Sequence, residues 1–185
     1  KIKYIRNPDG TRVFTALTTP ERIDKNLEVC LQTAHKAGLT VLGTDFSGYD
    51  ASLPAWFIWD VAKATTRWMT KRAANLYLAL VWADFHQTRC ITTTKIFPEG
   101  ENSMISGSIF TNSLDSDCNV VSQEYGLRAG YYSDILCRFV QGDDAVLLGH
   151  GVEPEAFEAA SKDLGLVANA SKQYYVKDSL SFCQK

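Results

Sequence analysis

Residues 135–148 read Ile135-Leu136-Cys137-Arg138-Phe139-Val140-Gln141-Gly142-Asp143-Asp144-Ala145-Val146-Leu147-Leu148. Ile135–Val140 and Ala145–Leu148 are apolar, strand-like runs. Gly142-Asp143-Asp144 between them has the chemistry of a tight turn, so the stretch predicts a β-hairpin with two acids at its tip. Adjacent carboxylates repel. Either one of them faces solvent, as acidic turns on surfaces commonly do, or a divalent cation neutralises the pair.

Working outward, a helix is expected from about Phe110 to about Arg128, preceded by the small-residue loop Ser103–Ser108. Downstream, Glu153–Leu164 is amphipathic and ends at Gly165, and Tyr174–Cys183 looks extended. Thr40–Asp45 reads as a short strand running into a loop. Pro54 opens one long, largely apolar helix through Trp56, Val61, Trp68 and Leu76. Near the start, Thr19 is placed as N-cap with Pro20 at the first helical position. Ile23, Leu27, Cys30, Leu31 and Ala34 then recur at helical spacing, and Gly38 ends the helix. Asn7-Pro8-Asp9-Gly10 is a turn between two short extended runs. Irregular alternation around one clear hairpin predicts an α+β fold, an antiparallel sheet with helices on one face.

The 185 residues are 45% hydrophobic and 22% charged, which allows one domain with a sizeable core. A net charge of −2 counts against a module that simply coats nucleic acid, which should be basic. An acidic catalytic centre escapes that objection, because bound cations change the sign of the local field. No apolar stretch approaches the roughly 18–20 residues of a membrane span, and no secretory leader opens the chain. Cys30, Cys90, Cys118, Cys137 and Cys183 are odd in number and scattered, which fits a reducing setting rather than a disulfide framework or zinc site. His35, His86 and His150 lack ligand-like spacing, and Trp56, Trp59, Trp68 and Trp82 read as core. A first residue other than Met and a last residue inside a strand-like run suggest a fragment whose flanking domains carry the basic surface.

Further acids lie upstream. Asp45 ends a strand in Gly43-Thr44-Asp45-Phe46-Ser47-Gly48-Tyr49-Asp50, where a Gly-containing loop can present side chains to a ligand. Magnesium takes a few carboxylates together with waters and phosphates, which suits aspartates from separate loops. Ser106-Gly107-Ser108 precedes Thr111, Asp115 and Asn119, which recur every four residues along one helix face. Such a stripe can hydrogen-bond a ribose or order a carboxylate. Equally, it can be a solvated face with Ser106 as the cap.

Together and in this order, these elements resemble motifs A, B and C of viral RNA-dependent RNA polymerases. Asp45 and Asp50 match motif A, Ser106-Gly107 with Thr111 matches motif B, and Gly142-Asp143-Asp144 matches motif C. Ser106–Asn112 with Asp115-Ser116 and Asn119 looks most like the partitivirus and picobirnavirus group. Leu164-Gly165-Leu166 with Lys172 resembles motif D, and Leu180–Lys185 the start of motif E. The resemblance implies a palm domain over residues 40–185, with residues 1–39 as the end of the fingers or the palm entry. It implies template-directed RNA synthesis by two Mg²⁺ ions, replaceable by Mn²⁺, held by Asp45, Asp143 and Asp144. Asp50 with Thr111, Asn112 and Asp115 would face the nucleotide, Ser106 and Gly107 would form the template loop, and Lys172 would be the general acid. Related polymerases often carry Asn where this chain has Asp115, so the ribose contact stays open among Asn112, Asp115 and Asn119. The implied partners are RNA template and product, nucleoside triphosphates, fingers and thumb domains, and the viral capsid, with no membrane. The implied place is the host cytoplasm or the virion interior. Two rivals remain: a reverse transcriptase, whose acid pair usually follows an aromatic residue rather than Gln141-Gly142, and a non-catalytic RNA-binding or assembly domain.

Overall fold

The computed structural model describes residues 5–16, 18–87, 90–91, 93–94, 96–97, 104–105, 107–177, 180 and 182. Helix α1 spans Pro20–Ala37, entered through an extended Thr19 and closed by Gly38 in the left-handed conformation, as the sequence predicts. Strand β1 (Val41–Thr44) follows, then a helical turn α2 (Tyr49–Ser52). The single helix expected after Pro54 is instead α3 (Ala55–Thr65), a 3-10 turn (Thr66–Trp68) and α4 (Lys71–Gln87). The break has a local cause. The Thr65 and Thr66 hydroxyls donate to the Val61 and Lys63 carbonyls, competing with the helix's own ladder, and Met69 then turns extended.

Short strands β2 (Cys90–Ile91) and β3 (Ile96–Phe97) precede α5 (Thr111–Arg128). The predicted hairpin is β4 (Cys137–Gln141) and β5 (Asp144–Leu148), followed by α6 (Pro154–Asp163) and β6 (Tyr174–Val176). The main sheet runs β4-β5-β1-β6, every pair antiparallel, with Leu42 opposite Leu147 on one side and Tyr175 on the other. The α+β class holds. Alternation sends Leu42 and Leu147 into a large core with Phe57, Ile58, Val61, Leu114, Cys118 and Phe157, beneath α3, α5 and α6. Val41, Phe139, Val146 and Leu148 point the other way, where α1 covers them with Cys30 and Ala34. The helical layer on one face is therefore joined by one helix on the other.

Two details tighten the sheet near its business end. Gly43 has no side chain because the Tyr174 ring lies across it; a Cβ there would sit 1.9 Å from that ring. Asn7 covers the β4 edge, its amide donating to the Arg138 carbonyl (2.9 Å) while its oxygen accepts the Arg138 N–H (2.8 Å). The tryptophans depart from expectation. Trp56, Trp68 and Trp82 are 56%, 56% and 47% exposed, and only Trp59, edge-on to Trp82, packs against the core. Among the described residues no helix is long and apolar enough to cross a membrane.

Candidate active site

The site grows from the hairpin tip. Gln141 pairs with Asp144, leaving a two-residue turn in which Gly142 takes φ +63°. L-residues with a Cβ resist that conformation, and glycine adopts it freely. The turn is fastened to α5. Gly142 N–H donates to Ser116 Oγ (2.8 Å), and Asn119 Nδ2 donates to the carbonyls of both Gly142 and Asp143 (3.0 Å each). Asn119 Oδ1 accepts from Gln123 Nε2 at 2.9 Å.

Asp45 reaches the same end of the sheet. Thr44 pairs with Ala145, and the register continued by one residue sets Asp45 opposite Asp144. Asp45 is largely buried, with Oδ2 sealed from solvent and without a hydrogen-bond partner. Its nearest cation is Lys172, whose Nζ lies 3.8 Å from Oδ2 while the lysine side chain is 67% exposed. The neighbourhood is built by backbone pairing, since Asn169 N–H donates to Asp45 O and Lys172 N–H to Asn169 O.

Asp50 sits on α2, and its carbonyl accepts Met104 N–H at 2.9 Å, tying α2 to the loop before α5. Asp115 is 3% exposed. Burial first, then the charges of Asp50 and Asp143 and a hydrogen bond with Asp50, push its carboxyl up from 3.8 to about 8. Two carboxyls hydrogen-bond only by sharing a proton, so Asp115 is the protonated member at neutral pH. Its Oδ1 is buried without a partner. Desolvation, then the charges of Asp45 and Asp50, raise Asp143 as well, opposed by backbone N–H donors. Asp50 and Asp143 thus act on Asp115, and Asp45 and Asp50 on Asp143.

A cleft of about 460 Å³ opens here, walled by Asp50, Ser108, Thr111, Asn112 and Asp115 on one side and Gln141–Asp144 on the other. Asp45 does not line it. Gly107, at φ +94°, is exposed at the cleft's approach, and Ser106 lies outside the described residues. The motif-E-like tail is described only at Leu180 and Phe182; Ser181 and residues 183–185 fall outside. The partners of two residues escaped sequence reasoning. Ser108 Oγ donates to Asp84 on α4 and accepts Phe110 N–H (3.0 Å), and no local pattern links Asp84 to that loop. Asn119 lies on the expected polar stripe, but the stripe faces inward: Asp115 and Asn119 are buried.

All the donors gathered here are oxygens, which suit a hard cation such as magnesium rather than zinc. Asp45 Oδ2, buried without a hydrogen bond and with Lys172 Nζ 3.8 Å away, fits a group that supplies positive charge. Among the described residues no set of three His, Cys, Asp or Glu side chains is grouped tightly enough to hold a metal ion unaided.

Comparison with known proteins follows the same direction. A family model described as viral RNA-dependent RNA polymerase matches residues 21–184. The crystal structure of the RNA-dependent RNA polymerase of a human picobirnavirus superposes with a TM-score of 0.80 at 21% identity, covering 92% of this chain and 32% of that one. An insertion-loop deletion mutant of the same polymerase gives 0.80 and 21%, covering 92% and 34%. The chain therefore spans about a third of the length of these solved structures. No curated protein sequence matches.

Proposed function

The chain belongs to the viral RNA-dependent RNA polymerases, and from that premise we propose that it is the palm of an enzyme that copies RNA into RNA. In this reading residues 40–185 form the palm, residues 1–39 lead into it, and fingers and thumb belong to the same polypeptide. The reaction is attack of the 3′-hydroxyl of a growing RNA on the α-phosphate of a nucleoside triphosphate.

Asp45 and Asp143 would hold two Mg²⁺ ions with Asp144 assisting, and Mn²⁺ would substitute. The carrying observation is that acids far apart in sequence end on adjacent strands, near enough for Asp45 to raise the pKa of Asp143. A protein that offers few carboxylates leaves coordination positions for substrate phosphates, the usual arrangement for magnesium. Such ions lower the pKa of an attacking hydroxyl and stabilise the departing pyrophosphate.

The chain's own residues do the rest. Asp50 and Asp115 would face the ribose. Asn119 has committed its amide protons to the hairpin, whereas Asp115 keeps an unpaired oxygen and lines the cleft, which favours Asp115 as the motif B contact. Thr111 Oγ donates to the Ile105 carbonyl (2.6 Å) and would steady the Ser106-Gly107 template loop from the helix start, with Asn112 beside it. Lys172, whose Nζ lies 3.8 Å from Asp45 Oδ2, would donate a proton to the pyrophosphate. Base pairing would specify sequence, leaving the protein to read shape and the 2′-hydroxyl. The wider reading places the enzyme in the host cytoplasm or the virion, against the capsid.

Asp143→Asn in the whole polymerase should lower nucleotide incorporation by at least about a hundredfold while leaving the fold intact. Near-normal incorporation would defeat the ligand assignment. Extension with dNTPs in preference to NTPs would instead favour a reverse transcriptase.

A further inference from the structure

The hairpin tip carries its acids into a field of like charge. We infer that Asn119, locked in one orientation by Gln123, is a positioning residue that presets Asp143 for its cation. This rests on the assignment of Asp143 as a metal ligand.

The orientation of the Asn119 amide is forced by chemistry. Carbonyl oxygens only accept, so the group facing Gly142 O and Asp143 O is the NH₂, and both of its protons are used. Asn119 Oδ1 must then point away, and it meets Gln123 Nε2 one helical turn on. Asn119 and Gln123 are both fully buried, with 0% exposure. Asn is a weak helix former, and a buried amide is tolerated when paired, as the whole Asn119 amide is; Gln123 Oε1 has no hydrogen-bond partner. Ser116 completes the clasp. Its hydroxyl donates to the Asn112 carbonyl (2.7 Å), which leaves its lone pairs for Gly142 N–H.

The turn's Gly142 N–H, Gly142 C=O and Asp143 C=O therefore all end on α5 side chains. The Asp143 backbone is pinned before any cation arrives, against the repulsion of Asp45 and Asp50. Partners that orient a ligand from behind typically change metal affinity by about 10–100-fold when removed.

The test is calorimetric titration of the metal-free whole polymerase with Mg²⁺ and Mn²⁺, with thermal unfolding as the fold control. Asn119→Ala is expected to weaken cation binding by about 10–100-fold and to leave the KM for nucleotide nearly unchanged at saturating Mn²⁺. Gln123→Ala should weaken it less, and the double variant should be no worse than Asn119→Ala, because Gln123 acts through Asn119. Hydrogen exchange at the Gly142 amide should quicken in Ser116→Ala. Folded Asn119→Ala and Gln123→Ala proteins that bind cations within twofold of wild type would overturn the inference. Unfolding of all three single variants would overturn it too, because the clasp would then hold the fold rather than the site. Asp143→Asn separates the two levels. If that variant binds cations normally, the ligand assignment fails; if it loses them while Asn119→Ala does not, only the clasp fails.

Discussion

The β4–β5 hairpin and the α3–α4 pair are both apolar stretches bounded by polar punctuation, yet the sequence describes them unequally well. In the hairpin, two apolar strand-like runs and a glycine at φ +63° leave one arrangement, and the acids must sit at its tip. In the helical pair, the apolar residues run almost all the way round. Periodicity then says neither where the helix breaks nor which face is covered, and Trp56, Trp68 and Trp82 end about half exposed. Turn chemistry is local and decisive; burial of a helix face depends on what packs against it.

The sharpest way to separate the two regions is pH. In metal-free protein, Asp115 binds a proton far more tightly when folded, with a pKa near 8 against an ordinary 3.8. The stability it contributes is complete below about pH 4 and is lost as pH rises through 8. Burial also raises Asp117, on the opposite side of α5, to about 7, partly offset by its hydrogen bond from Thr65. Unfolding free energy should therefore fall between pH 5 and 8, by up to about 1.4 kcal/mol per pH unit for each proton. Asp115→Asn should leave only the part that ends near pH 7. A variant with the wild-type slope across pH 7–8 would show that Asp115 is ionised in the fold.

In the helical pair effects should be small. Thr66 is half-buried, and its hydroxyl donates to the Lys63 carbonyl (2.7 Å). Thr66→Ala should change stability by less than about 0.5 kcal/mol in denaturant unfolding. A larger loss would mean that the break between α3 and α4 is held by more than this hydroxyl.

The same contrast explains how much of the site was legible. Asp45, Asp143 and Asp144 could be singled out because strand ends and turn residues announce themselves, Asp50 only through the resemblance to motif A, and Thr19, Pro20 and Gly38 marked α1 to the residue. The inward face of α5 could not be read. Thr111, Asp115 and Asn119 form a polar stripe by spacing, and spacing is silent on whether a stripe meets water or a hairpin. Asn119's partners are backbone carbonyls, which leave no residue type to recognise, and Asp84 meets Ser108 from another helix. The hydrogen bonds of Asn119 commit its amide to the hairpin, which leaves Asn112 and Asp115 lining the cleft.

The account's central claim is that Asp45 and Asp143 share divalent cations. Crystals of the whole polymerase grown with Mn²⁺ and a nucleotide, examined for the anomalous scattering of manganese, test it most directly. The prediction is two manganese peaks bridging the carboxylates of Asp45 and Asp143. Peaks elsewhere, with both aspartates in contact with water alone, would contradict it.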